Sequence, residues 1–130
     1  PLVCYTPFMQ QRVTINGKLQ TLNEMIADAR VHWSISAKNK KFFTNIVRLH
    51  CLKMKTIQYP CTMSFEWHYS GKEDFDNIRA ATKFILDGMQ EAKKLPNDNQ
   101  KWVIGFEGDA FVKVPKGQDK VVVTIVEYEP

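Results

Sequence analysis

The sequence predicts an α+β fold, with a mainly antiparallel or mixed sheet packed against about three helices in one domain. Three observations carry this. Met63, Phe65, Trp67 and Tyr69 alternate with Ser64, Glu66 and His68, the period of a half-buried strand. Phe42, Phe43, Ile46, Val47 and Leu49 recur at helical spacing, as do Ile78, Ala81, Ile85, Leu86, Met89 and Ala92. The order of elements, one strand, two helices, one strand, one helix and three strands, is that of an α+β protein.

Taken in order, Arg12 to Ile15 reads as a short strand closed by the turn pair Asn16-Gly17. Thr21-Leu22-Asn23-Glu24 has the form of a capping box, which starts a helix at Leu22 that runs to about Val31. The stretch from His32 to Ser36 interrupts it weakly. A second helix is expected from about Ala37 to Met54, with Lys38, Lys40 and Lys41 in its first turns. The Met63–Tyr69 strand ends at Ser70-Gly71. Asp76 is placed to cap the next helix, which continues to Lys93. Lys94 to Lys101 forms a loop around Pro96-Asn97-Asp98-Asn99. Strands are expected at Trp102–Phe106, Ala110–Val114 and Val121–Glu127, the last two joined as a hairpin by Pro115-Lys116-Gly117.

The chain has 130 residues, enough for one core. No apolar run reaches the length of a transmembrane helix, and the stretch PLVCYTPFMQQR lacks the features of a secretory signal. Cys4, Cys51 and Cys61 form no C-x-x-C pair, which points to free thiols in a reducing cytoplasm. His32, His50 and His68 have no metal-ligand spacing, so a zinc site is not expected.

Charge is unevenly placed. The formal net charge is +4, yet no Asp or Glu occurs from Ala29 to Phe65, while Arg30, Lys38, Lys40, Lys41, Arg48, Lys53 and Lys55 all lie there. From Glu66 onward acids outnumber bases, 12 to 9. This separation suits a polyanion held on the basic half, although a Lys-rich helix is also simply a solvated face.

The acidic half contains one unusual placement. Asp74 and Asp76 bracket Phe75 where a strand gives way to a helix. At i and i+2 of an extended backbone both carboxylates point the same way, and the positive end of the following helix tolerates them. Such a pair is half of a hard-cation site, because Mg²⁺ takes oxygen ligands and keeps several waters. Asp98 can supply a third ligand if the loop after the helix folds back. The same residues also read as a helix cap, a solvated acid and a turn residue.

The stretch "DFDNIRAATKFILDGM…LPNDNQKWV" resembles the signature of the RusA family of Holliday-junction resolvases. "LQTLNEMIADAR" and "SAKNKKFF" resemble two further stretches of its phage and prophage members, and the four motifs occur in the family's order over residues 12–127. The resemblance implies that Asp74, Asp76 and Asp98 are catalytic and bind Mg²⁺, with Mn²⁺ as a substitute. It implies a homodimer, in a bacterial or phage-encoded cytoplasmic protein of DNA recombination and repair, that hydrolyses two symmetrically placed phosphodiesters of a four-way junction. The familiar members carry a lysine one turn after the second aspartate, where this sequence has Ala80. Lys83, a turn further on, is the expected replacement at the scissile phosphate. Arg30, Lys38, Lys40, Lys41, Lys72 and Arg79 are the expected DNA contacts. Among the tryptophans, Trp33 and Trp102 are candidates for stacking on bases, and Trp67 for the core.

Overall fold

A computed structural model describes residues 6–129. Cys4 therefore lies outside the described residues. The elements are β1 (Thr6–Asn16), α1 (Leu22–Val31), α2 (Trp33–His50), β2 (Cys61–Tyr69), α3 (Phe75–Arg79), α4 (Thr82–Glu91), β3 (Val103–Lys113) and β4 (Lys120–Glu129). The four strands form one mixed sheet in the order β1-β4-β2-β3. β4 is antiparallel to both β1 and β2, and β3 is parallel to β2. The fold is thus the expected α+β class.

The alternation in β2 works as anticipated. Met63, Phe65, Trp67 and Tyr69 are buried on one face, and Ser64, Glu66 and His68 are half-buried on the other. In register with them, Ile125 pairs with Met63, and Val123 pairs with both Phe65 and Val13. These residues join Val47 of α2 and Ile85 and Met89 of α4 in a single core. Gly88 permits the α2–α4 contact, since a Cβ there would lie 2.5 Å from Val47 Cβ. On the opposite face Arg12 bonds Glu66 at 3.1 Å across the sheet.

The capping box forms in both directions. Glu24 N–H donates to Thr21 Oγ1 at 3.3 Å, and Thr21 N–H donates to Glu24 Oε1 at 3.0 Å. α1 and α2 are divided by one residue, His32, in an extended conformation; its Nδ1 accepts from Ser34 N–H. Asp28 ties the two helices together, accepting from Gln20 and, across the break, from Asn39 at 2.7 Å.

Five expectations need correction. β1 is longer than the Arg12–Ile15 segment, because it pairs along the full length of β4. α2 starts at Trp33 rather than Ala37, so Lys38, Lys40 and Lys41 lie beyond its first turn, where the helix dipole has weakened. The single helix expected from Asp76 to Lys93 is two helices. The chain tightens at Ala80–Ala81 through Ala81 N–H to Ile78 O and Phe84 N–H to Ala81 O, while Thr82 Oγ1 donates to Arg79 O. This places Ala81 in the core, 3% exposed. The two strands expected at Trp102–Phe106 and Ala110–Val114 are one, β3, because Gly108 takes φ 139° at an irregularity and the strand continues through it. Finally, Pro115-Lys116-Gly117 does not close a hairpin. β2 lies between β3 and β4, so this segment crosses the end of β2.

Candidate metal and nucleic-acid site

The junction that carries Asp74 and Asp76 is held from several sides. Where β2 ends, Ser70 N–H and Oγ both donate to the Asp119 carboxylate at 2.9 Å. Lys113 Nζ donates to the carbonyls of Ser70 and Gly71 at 2.7 and 2.6 Å. Any side chain at residue 71 would collide with Tyr69 and Glu73. α3 is then pinned to β3: the Phe75 and Phe111 rings stack with centroids 4.3 Å apart. Arg79 Nη2 lies 3.1 Å from Asp109 Oδ2, and Trp67 Nε1 donates to Asp109 Oδ1 at 2.8 Å.

Asp74, rather than Asp76, is the N-cap of α3. Its backbone carbonyl accepts from Asn77 and Ile78, and its side chain makes no capping bond. Asp76 lies in the first turn. Both are exposed, and together with Lys72, Glu73 and Phe75 they line an open hollow. Their carboxylates accept no hydrogen bond and form no ion pair among the described residues. They are therefore free to meet a cation or another solvent ligand.

Asp98 is elsewhere. It lies in the turn between α4 and β3, half-buried. Asn99 N–H donates to Asn97 Oδ1 and Lys101 N–H to Asn99 Oδ1, so the neighbouring asparagines shape the turn. This turn leads into Val103, which pairs with Cys61 at the start of β2. The Asp74 junction follows Tyr69, which pairs with Lys113 at the other end. Eight residue steps at about 3.3 Å each separate those two ends by roughly 26 Å. Asp98 therefore sits on the turn at the opposite end of β2 from the junction that bears Asp74 and Asp76. Ligands of one Mg²⁺ all lie about 2.1 Å from it. No group of three His, Cys, Asp or Glu side chains stands ready to hold a metal among the described residues. The α3–α4 unit carries the chain from the Tyr69 end of β2 to the Val103 end of β3, so the two acidic segments are anchored at opposite ends of the sheet.

The basic residues lie on several elements: Arg30 on α1, Lys38, Lys40 and Lys41 on α2, Lys72 before α3, Arg79 on α3 and Lys83 on α4. Arg30, Lys38, Lys40, Lys41 and Lys72 are exposed. Lys40 and Lys41 border a hollow shared with Asp87, Gln90 and Glu91 of α4, so they face carboxylates as well as solvent. Arg79 is engaged with Asp109, as described. Lys83 Nζ lies 3.3 Å from Asp87 one turn on. The break at Ala80–Ala81 also removes the continuous helix that would have put Lys83 on the face of Asp76. Trp33 is 75% exposed and Trp67 buried, while Trp102 packs against the core edge.

Three residues that matter to this geometry carried no recognisable sequence signal: Asp109, Lys113 and Asp119. Each acts across more than 29 positions of chain, on Arg79 and Trp67, on the Ser70 and Gly71 carbonyls, and on Ser70 respectively. Burial also marks both ends of β2 and the end of α2 chemically. It pushes the Cys61 thiol up to about 12, aided by the Glu127 charge, and Cys51 to about 11. The Tyr69 phenol is pushed up by burial first and by the adjacent Glu73 charge second. Both cysteines are buried and unpaired. No helix among the described residues is long and apolar enough to cross a membrane. No protein-family model and no curated protein matches the chain.

Proposed function

We propose that this chain is a metal-dependent, structure-selective DNA endonuclease. In this reading it resolves four-way junctions by paired phosphodiester hydrolysis, working as a homodimer in a bacterial cytoplasm. The observation that carries the reading is the exposed, unengaged pair Asp74 and Asp76 at the start of α3, inside a stretch that resembles the RusA signature. Structural carboxylates in this protein are satisfied: Asp119, Asp109 and Glu127 each accept at least two hydrogen bonds or a bond and an ion pair. Two carboxylates at i and i+2 left without protein partners among the described residues make sense as ligands of Mg²⁺, or of Mn²⁺ in its place. Such an ion, when bound, polarises a phosphate and activates water. Exposed Lys38, Lys40, Lys41, Arg30 and Lys72 supply backbone contacts that hold DNA without reading its bases.

A second reading, a branched-DNA-binding protein without activity, is favoured by two observations. Asp98 lies on the turn at the opposite end of β2 from the pair, and Lys83 is matched with Asp87. The deciding experiment is incubation of a synthetic four-way junction with the protein in Mg²⁺ and in EDTA. Paired symmetric cuts in Mg²⁺, lost in EDTA and in Asp74→Asn with binding retained, are the expected result. Binding with no cleavage in Mg²⁺ or Mn²⁺ would establish the second reading.

A further inference from the structure

We propose that the break between α1 and α2 recognises the branch point of DNA, with the Trp33 indole stacking on a base left open there. This rests on the reading of the chain as a branched-DNA protein, active or not, and does not involve the acidic residues. Every residue from Ala29 to Ile35 is exposed. Val31 is 70% and Trp33 75% exposed, the two highest values among the large hydrophobic side chains of the described residues. An indole carries a large apolar surface, and this fold leaves most of it in solvent.

The tip is held in place. His32 Nδ1 accepts from Ser34 N–H at 3.1 Å, and the His32 ring lies 5.5 Å from the Trp33 ring, so the two rings sit as a tilted pair. Behind them Asp28 ties α1 to α2 by accepting from Asn39 at 2.7 Å. An aromatic face fixed in this way is a stacking platform, and stacking tolerates any base because every base has a π-face.

The surroundings select the occupant. No Asp or Glu occurs from Ala29 to Phe65, while Arg30 and Lys38 flank the tip and are exposed. Ser36 and Ala37, the helical neighbours of Trp33, are small. Lys40 follows seven residues after Trp33, on nearly the same side of the helix and about 10 Å along it, roughly the rise of three stacked bases. An indole on the end of a base stack therefore leaves Lys40 beside the phosphates of that arm. Within a duplex both faces of a base are covered, and reaching one costs unstacking. At the centre of a four-way junction the last pair of an arm offers a free face. A second copy of the chain fits less well, because a two-fold contact would set this basic segment against itself.

The test compares a labelled four-way junction with a linear duplex, by fluorescence anisotropy, for the wild type, Trp33→Ala and Trp33→Phe. A parallel junction carries 2-aminopurine beside the branch point. Loss of one stacked base should weaken junction binding by Trp33→Ala about 10-fold and leave duplex binding unchanged. Trp33→Phe keeps a ring and should recover most of the loss. The 2-aminopurine emission should change on binding the wild type and Trp33→Phe, and not on binding Trp33→Ala. A Trp33→Ala variant that binds the junction as the wild type does, or that loses junction and duplex equally, overturns the proposal and leaves the DNA reading standing. A fall in mass by light scattering on Trp33→Ala assigns the tip to a second copy and overturns it equally. A wild type that binds neither DNA at low salt overturns both.

Discussion

The two acidic segments of this protein are built in opposite ways. The junction bearing Asp74 and Asp76 is held by distant residues: Asp119 on Ser70, Lys113 on two carbonyls, Phe111 under Phe75 and Asp109 on Arg79. The turn bearing Asp98 is held by its own asparagines, Asn97 and Asn99, two residues from the N–H groups they accept. The first is therefore only as ordered as the sheet beneath it, while the second is largely a property of its own seven or so residues. Carboxylates that must meet a ligand in fixed geometry gain from the first kind of support.

This contrast can be broken most strongly at Asp119. It is 8% exposed and satisfies both the N–H and the hydroxyl of Ser70. Asp119→Ala leaves a backbone donor unpaired at the end of β2 and is expected to cost about 2–3 kcal/mol in urea unfolding. A double-mutant cycle with Ser70→Ala should show coupling of about 1 kcal/mol. Additivity of the two changes would mean that the clamp does not act as a unit.

An intermediate effect is expected on raising the pH, and it probes the opposite end of β2. Cys61 accepts its strand position beside Trp102, its N–H donating to Trp102 O at 2.8 Å. Its thiol is pushed from 9.0 to about 12, and that of Cys51 from 9.0 to about 11. Well below pH 9 both are protonated folded and unfolded, and stability does not depend on their titration. Above it the unfolded chain releases the protons first, so stability falls as pH climbs toward the folded values. At pH 10 the loss should be about 1 kcal/mol per thiol. Cys61→Ala lowers the whole curve by leaving a cavity, yet should make its alkaline limb shallower. An unchanged slope would remove Cys61 from the account.

The smallest effect belongs to the Asp98 turn. Asn97→Ala removes one local acceptor at an exposed position and should cost about 0.5 kcal/mol, with no coupling to Asp119→Ala. A cost above that of Asp119→Ala would reverse the comparison.

Several features were legible in the residues. β2 could be read from its alternation because one face meets the core and the other solvent. The capping box marked the start of α1 because both its bonds lie within four residues. The acids at Asp74 and Asp76 stood out because they lie two residues apart, on either side of Phe75. The break at Ala80–Ala81 was hidden, since two alanines favour helix and only the burial of Ala81 reveals why the chain tightens there. The proposed hairpin misled for a similar reason: a Pro-Lys-Gly segment between two strands turns the chain, but does not say which strand comes to lie alongside.

What the chain alone decides here is whatever rests on neighbours within a turn or a strand: the α+β class, the helix start at Leu22, the faces of β2 and the presence of an acidic pair before a helix. Which acids share a place depends on the insertion of β2 between β3 and β4, and on the parallel run of β2 and β3. That order is chosen by the burial of Met63, Phe65, Val123, Ile125 and Ile85 together in one core. Such burial is a property of the assembled surfaces, to which no short window of sequence has access. It sends Asp98 to one end of the sheet and Asp74 to the other.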